Sequence, residues 1–315
     1  MTRTFRDASE FLGDESVRYF SNGYRHFHWH ITAFEQNESR LRGELEIGYD
    51  GPSRPDGSPH LGSIEYTAIA AMLTEYALVY LLKLDAEQVS LSHLSRISVK
   101  LRNTIDVQRA ISLPFQCMVG RPDCTRRASN GMLSPITVVL AGAEVSVVCD
   151  HPASRWGRFD PRAVWPANHR AMHNHGYKAR TNLLQDIRCN TSDRTCMARV
   201  TRQDSYTDQR RGLFSARETI IPTDVLSVTG QLMQILLYTL EDTTREACGN
   251  IWLRSMDIRY GRPVWEAVYP AEVRFLDVKT LTKRTEQWRM VRLESRVAGI
   301  SGLFDIAHQL QTKER

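Results

Sequence analysis

One long apolar segment occurs twice in this chain of 315 residues, and that repetition limits the fold more than any other feature. From His60 to Leu101 the order is a loop, an apolar stretch, a short polar linker and the strand-like HLSRISVKL. The outline returns without a gap 159 residues later, from Thr219 to Tyr260. Leu73, Leu78, Leu81, Glu87 and Leu94 meet Leu232, Leu237, Leu240, Glu246 and Leu253, and the acid Glu65 meets the acid Asp224. Few residues are identical, so the shared pattern carries the comparison.

Apolar residues between Ile64 and Leu82 cover most of a helix's circumference, so this helix has to be buried on more than one side. A strongly curved antiparallel sheet can wrap such a helix. Two units of this size are a duplicated domain and not a solenoid, whose repeats are shorter and more numerous. The expected fold is therefore α+β: a tandem (double) hot-dog, two long central helices each wrapped by a curved antiparallel sheet.

The flanking sequence fits two such units. Residues 1–23 read as a lead-in with one helix around Ser9 to Phe20. The first repeat spans 24–150, beginning with a hairpin through HFHWHITAF and RLRGELEIGY. A Pro- and Gly-rich loop at 51–62 precedes the helix, and β-branched strands follow it. Residues 151–176 form the linker, and 177–315 the second repeat, ending in a short helix or tail from Leu303.

An apolar content of 42% is enough for a sizeable core. The N-terminus has no signal-like apolar run, and Thr74, Glu75 and Lys83 interrupt the strongest later one, so a cytoplasmic protein with no membrane partner is expected. The net charge of +5 is spread along the chain without a basic face or aromatic interleaving, which argues against nucleic acid. Cys117, Cys124, Cys149, Cys189, Cys196 and Cys248 include no CxxC pair and read as buried thiols.

The opening FLGDESVRYFSNGYRH, the PHL before the first helix, Glu65 and the strand HLSRISVKL resemble the AvrD family of bacterial proteins. The resemblance implies an enzyme that makes acyl-sugar lactone signals of the syringolide type, from a β-ketoacyl precursor and a ketose such as xylulose. A more distant similarity is to AfsA-type synthases of γ-butyrolactone signals, which are double hot-dog proteins. That family carries a Glu and an Arg inside its second helix, where this chain has VTGQLMQ.

The N-terminus of a hot-dog helix offers unpaired N–H groups and the positive end of the helix dipole to a thioester carbonyl. His60 and Glu65 lie at that place in the first repeat and are the expected catalytic pair, the imidazole deprotonating a sugar hydroxyl. Thr219 stands where His60 would fall in the second repeat, while Asp224 keeps the acid. Ile69, Met72, Leu73 and Tyr76 are expected to line an acyl tunnel walled by the second repeat, with Asp224 near the substrate or, as a first-turn acid, structural. The expected donor is a coenzyme A or acyl carrier protein thioester, the acceptor a small sugar, and the assembly a monomeric pseudo-dimer or a homodimer. No cofactor is called for. Hydrolysis or dehydration of a thioester, and non-catalytic binding of an acyl carrier, are the competing readings. His26, His28 and His30 alternate along a strand, and His169, His173 and His175 fall in the linker. Solvent-facing and irregular positions explain both groups more simply than a metal does.

Overall fold

A computed structural model describes residues 1–52, 59–101, 103, 105–107, 111–122, 131–153, 172–205, 212–213, 219–245, 248, 251–261, 264–283 and 286–310. The elements in order are β1 (Thr2–Asp7), α1 (Ser9–Leu12), β2 (Phe27–Asn37), β3 (Arg40–Tyr49), α2 (Ser63–Tyr80), α3 (Ala86–Leu91), β4 (His93–Lys100), β5 (Ile111–Val119), β6 (Met132–Leu140) and β7 (Ala143–His151). They continue with β8 (Arg180–Asn190), β9 (Thr195–Asp204), α4 (Pro222–Glu241), β10 (Ile251–Arg259), β11 (Val268–Lys283), β12 (Glu286–Val297) and β13 (Ile300–Leu310).

All thirteen strands join one antiparallel sheet in the order β1-β8-β9-β11-β12-β13-β10-β4-β7-β6-β5-β3-β2. Read outward from the β10–β4 junction, each half has the same order, since β4, β7, β6, β5, β3 and β2 correspond to β10, β13, β12, β11, β9 and β8. At the junction Ser98 pairs with Asp257, its own counterpart 159 residues on, so the pseudo-twofold axis passes through that pair. The β6–β7 and β12–β13 hairpins turn alike, with Ala141 and Gly142 at φ 49° and 83°, and Ala298 and Gly299 at 51° and 81°. Two successive positive φ values match the twist of the flanking strands.

α2 packs against β4 to β7, α4 packs against β8, β9, β11 and β12, and the two helices touch. Sixteen of the 18 residues of α2 are buried, including Ile64, Ile69, Leu73 and Leu78 at 0% exposure. Each such side chain contributes about 1.5–3 kcal/mol of burial free energy, which outweighs the weak helix propensity of the Thr, Ile and Val positions.

A second duplicated motif lies on the axis. Gly23-Tyr24-Arg25 and Gly176-Tyr177-Lys178 each form a tight helical turn ahead of β2 and β8. Tyr24 stacks on Tyr177 at 5.9 Å between ring centroids. Arg25 donates to the carbonyl of Arg180, first residue of β8, at 2.9 Å, and Lys178 donates to the carbonyl of Phe27, first residue of β2. This reciprocal exchange ties the repeats together at a point distant in sequence from the β4–β10 seam.

Two expectations change, and a third is not reached by the described residues. The lead-in is not an independent helix: Thr2–Asp7 pairs with β8 at the edge of the second half, and the helix stops at Leu12, ahead of Gly13 at φ 75°. The segment from Leu303 to Leu310 is strand and not helix, because its buried positions alternate and it pairs with both β12 and β10. Most of the expected linker, residues 154–171, lies outside the described residues, as do Cys124 and His169. No helix among the described residues is long and apolar enough to cross a membrane.

Candidate active site

Glu65 is the third residue of α2 and is fully buried. Its Oε2 accepts from the backbone N–H of Gly62 at 2.8 Å, which satisfies one of the orphan donors of the helix start. The same oxygen accepts from the Tyr19 hydroxyl at 2.5 Å. The positive end of the helix dipole favours a carboxylate at this place, and the tyrosine proton adds to that. Glu65 therefore orients Tyr19. One oxygen of the carboxylate expected to work with His60 is thus held by Gly62 and Tyr19.

His60 lies three residues before the helix and is half-buried, its ring 4.8 Å from that of Trp252 on β10. Its backbone bridges to Asp106. One repeat thus contributes the histidine and the other the indole that holds it.

A cavity of about 1680 Å³ opens at this point, bordered by His60, Tyr19, Gly62 and Ser63. From there it runs along α4, past Leu226, Thr229, Gly230, Met233, Gln234 and Tyr238. Its other wall is the sheet, through Trp252, Met290, Leu293, Phe304 and Ile306. Small-ligand sites usually enclose about 300–1,000 Å³, so this one has room for an extended chain and a carrier arm.

The tunnel expected along α2 gives way to this cavity along α4. Ile69, Met72 and Leu73 are core residues at 0%, 3% and 0% exposure, and Tyr76 stacks with Tyr80 and meets Phe34 edge-on. None of the four borders the cavity. Beyond Ser63, α2 does not border the cavity, whereas α4 does along its length, and the strands that face α4 are longer.

The opening FLGDESVRYFSNGYRH spans both helices. The ring of Phe20 lies against Gly230, where a Cβ would come within 2.4 Å of it, and the Phe20 carbonyl accepts from Ser227. Buried Arg18 donates to Gln231 at 3.3 Å, and Ser21 donates to the same oxygen at 3.1 Å. This segment sets Tyr19 between α4 and the start of α2. Tyr19 was missed from sequence although it sits inside the most specific motif of the chain.

Asp224 caps α4 as Glu65 caps α2, accepting from Ile221 N–H at 3.1 Å, but it lies away from the cavity. Arg180 grips it with two hydrogen bonds, at 2.6 and 3.2 Å, and Asn182 adds a third at 3.2 Å. Arg180 is 1% exposed, and its second anchor is the Thr219 carbonyl at 2.8 Å. Asp224 is a structural ion pair here and not a substrate contact.

The other histidines fall apart as a group. His28 and His30 are exposed and face Asp50 and Glu46 at 3.8 and 4.0 Å, while His26 borders the cavity. His173 is fully buried, and burial pushes its pKa down to about 3. Among the described residues no group of three or more His, Cys, Asp or Glu side chains is placed to hold a metal ion. Cys117, Cys149, Cys189 and Cys196 are buried free thiols, and Cys248 is half-buried on the cavity wall.

Among solved structures the chain is similar to the pyran synthase domain from module nine of the sorangicin pathway, at 14% identity over 90% of this chain and 98% of that one, with a TM-score of 0.43. It is similar to the dehydratase domain from the CurJ module of curacin polyketide synthase, at 6% identity over 89% and 96%, TM-score 0.45. It is also similar to the 12:0-ACP thioesterase from Umbellularia californica, at 11% identity over 85% and 94%, TM-score 0.43. No curated protein matches the chain in sequence. The model of the family described as Pseudomonas avirulence D protein (AvrD) matches residues 3–311, and the chain belongs to that family.

Proposed function

We propose that this protein is a biosynthetic enzyme that acts on acyl thioesters and joins a β-ketoacyl chain to the hydroxyl of a small sugar. Membership of the AvrD family supports the class of product. We read the architecture as a tandem hot-dog, on the shared strand order of the two halves and their two buried helices. The observation that carries the reading is the long, largely apolar cavity that begins at the capped start of α2.

In this reading the acyl chain lies against Met233, Leu293 and Phe304, and the thioester carbonyl sits at the first turn of α2. The N–H groups and dipole there stabilise the charge that develops on its oxygen. His60 takes the proton of the attacking sugar hydroxyl. Tyr19, its own proton committed to Glu65, offers a lone pair that aligns the same hydroxyl, which makes Glu65 a positioning residue. The donor is a coenzyme A or carrier protein thioester, and the protein's mild positive charge favours such an anionic partner.

Incubation with β-ketooctanoyl coenzyme A, with and without xylulose, tests this by mass spectrometry. Thiol release that depends on sugar and yields an acyl-sugar mass is the expected result. Equal release without sugar would establish hydrolysis instead, and no turnover by folded protein would leave an acyl-binding role. His60→Ala is expected to lower transfer by about 100-fold or more.

A further inference from the structure

Cys248, His308 and Glu241 come from three separate places in the sequence and meet on the wall of the same cavity. The Cys248 sulfur lies 3.4 Å from Nδ1 of His308 and 3.9 Å from Nε2. Nε2 of that ring is 2.8 Å from Oε2 of Glu241, and Arg289 donates to Oε1 at 3.0 Å. The His308 side chain is 2% exposed, so the ring cannot turn freely into solvent. Cys248 and Tyr238 both border the cavity, and Trp252, four residues beyond Cys248, carries the ring of His60.

An ionised carboxylate only accepts hydrogen bonds, so Glu241 fixes the ring proton on Nε2 and leaves Nδ1, the ring nitrogen nearer the thiol, without one. Burial works against ionising Glu241, but hydrogen bonds and charge from His308 and Arg289 outweigh it and hold the carboxyl below its ordinary range. Burial and the Glu241 charge push the thiol up to about 12, with a hydrogen bond from Tyr238 opposing them. At neutral pH Cys248 thus rests as a thiol, with the ring of His308 beside it. The sulfur becomes a nucleophile as its proton leaves, which is the way a hydroxyl nucleophile is activated.

We infer that Cys248 receives the acyl group from the thioester donor, with His308 as its base, before the group passes to the acceptor. This rests on reading the cavity as an acyl thioester site. In the first step His308 Nδ1 takes the thiol proton and the sulfur bonds to the acyl carbon. The bond to the carrier sulfur breaks, and the departing thiolate takes the proton from His308. One thioester replaces another, so no oxidant or activated co-reactant is needed. In the second step the sugar oxygen bonds to the acyl carbon and gives its proton to His60. The Cys248 thiolate departs and regains a proton from solvent by way of His308, while His60 releases its own.

The test begins with unaltered protein and β-ketooctanoyl coenzyme A in the absence of sugar, quenched in acid. Intact mass and peptide mapping are expected to find one acyl group on Cys248, removable by hydroxylamine and consumed when xylulose is added before the quench. Cys248→Ala is expected to abolish the adduct, and His308→Gln to slow its formation about 100-fold, with circular dichroism checking each fold. An adduct that forms but never passes to sugar keeps the Cys248 assignment and removes the sugar as acceptor. Acyl-sugar formation that survives in Cys248→Ala at near the original rate overturns the covalent step and leaves direct transfer standing. Absence of both adduct and product in the unaltered protein overturns both readings.

Discussion

The two halves of the molecule share a strand order and differ in what surrounds their helices. In the first half β5, β6 and β7 have nine residues each, and α2 is enclosed. In the second half β11, β12 and β13 have 16, 12 and 11, and α4 leaves a cavity between itself and the sheet. The helix caps differ in the same sense. Arg180 and Asn182 at the start of β8 lock Asp224 into a buried ion pair, whereas the matching positions at the start of β2 are Phe27 and Trp29. Glu65 is met there by Tyr19 at the cavity. The two copies thus differ in what they give the cavity: one the start of its helix, the other the length of its helix and the facing strands.

Breaking the caps separates the roles most strongly. Asp224→Ala leaves Arg180 buried beside Asp204 alone, at 3.6 Å, and is expected to cost about 3–5 kcal/mol in urea unfolding. A loss below about 1 kcal/mol would remove the structural role assigned to that pair. The helix walls give the next contrast. Leu73→Ala opens a void in a closed core and is expected to cost about 2–5 kcal/mol, with the preferred acyl length unchanged. Met233→Ala borders space that already exists, so it is expected to cost less than about 2 kcal/mol and to shift the preferred acyl length upward. Equal costs for the two would contradict the difference in packing. Tyr19→Phe removes one hydrogen bond to a buried carboxylate, about 1.5–3 kcal/mol, and is expected to slow transfer on the order of 100-fold by misplacing the acceptor. Unchanged turnover would take Tyr19 out of the site.

The duplicated helices were legible because a 3.6-residue pattern with no polar face is a local signal that survives divergence. The GY turn was equally legible as Gly23-Tyr24 and Gly176-Tyr177, but its spacing is 153 residues where the helices repeat at 159, so a single offset hides it. His60 and Glu65 were placed correctly at the start of α2, yet the partner of each was not visible. Tyr19 reaches Glu65 from 46 residues upstream, and Trp252 reaches His60 from the other repeat. The choice of α4 over α2 for the cavity depends on strand length and on Gly230 accepting Phe20, and hydrophobic pattern carries neither. The Cys248 cluster needs the β12–β13 pairing of Arg289 with His308 before it exists at all.

The mildest contrast lies in two further acids, one on each helix, whose pH effects should run in opposite directions. Glu75 in α2 is fully buried, and burial raises its carboxyl well above the ordinary range despite a 2.7 Å hydrogen bond from the Leu213 N–H. A raised folded-state pKa gives stability that is complete below the unfolded value, about 4.3, and is lost as pH climbs toward the folded one. Glu75→Gln keeps an acceptor for Leu213 and removes that loss, so its advantage over the unaltered protein is expected to grow from about pH 5 to pH 8. Glu241 at the end of α4 has the opposite sign: its pKa is lowered, its stabilisation is present above the unfolded value and fades as pH falls through the folded one. Glu241→Gln is therefore expected to be the less stable protein at neutral pH, with the deficit shrinking below about pH 4. Neither slope can exceed about 1.4 kcal/mol per pH unit for a single carboxyl. Urea unfolding of both variants across this range checks the pair, and slopes of the same sign would mean that the two helices do not treat their acids differently.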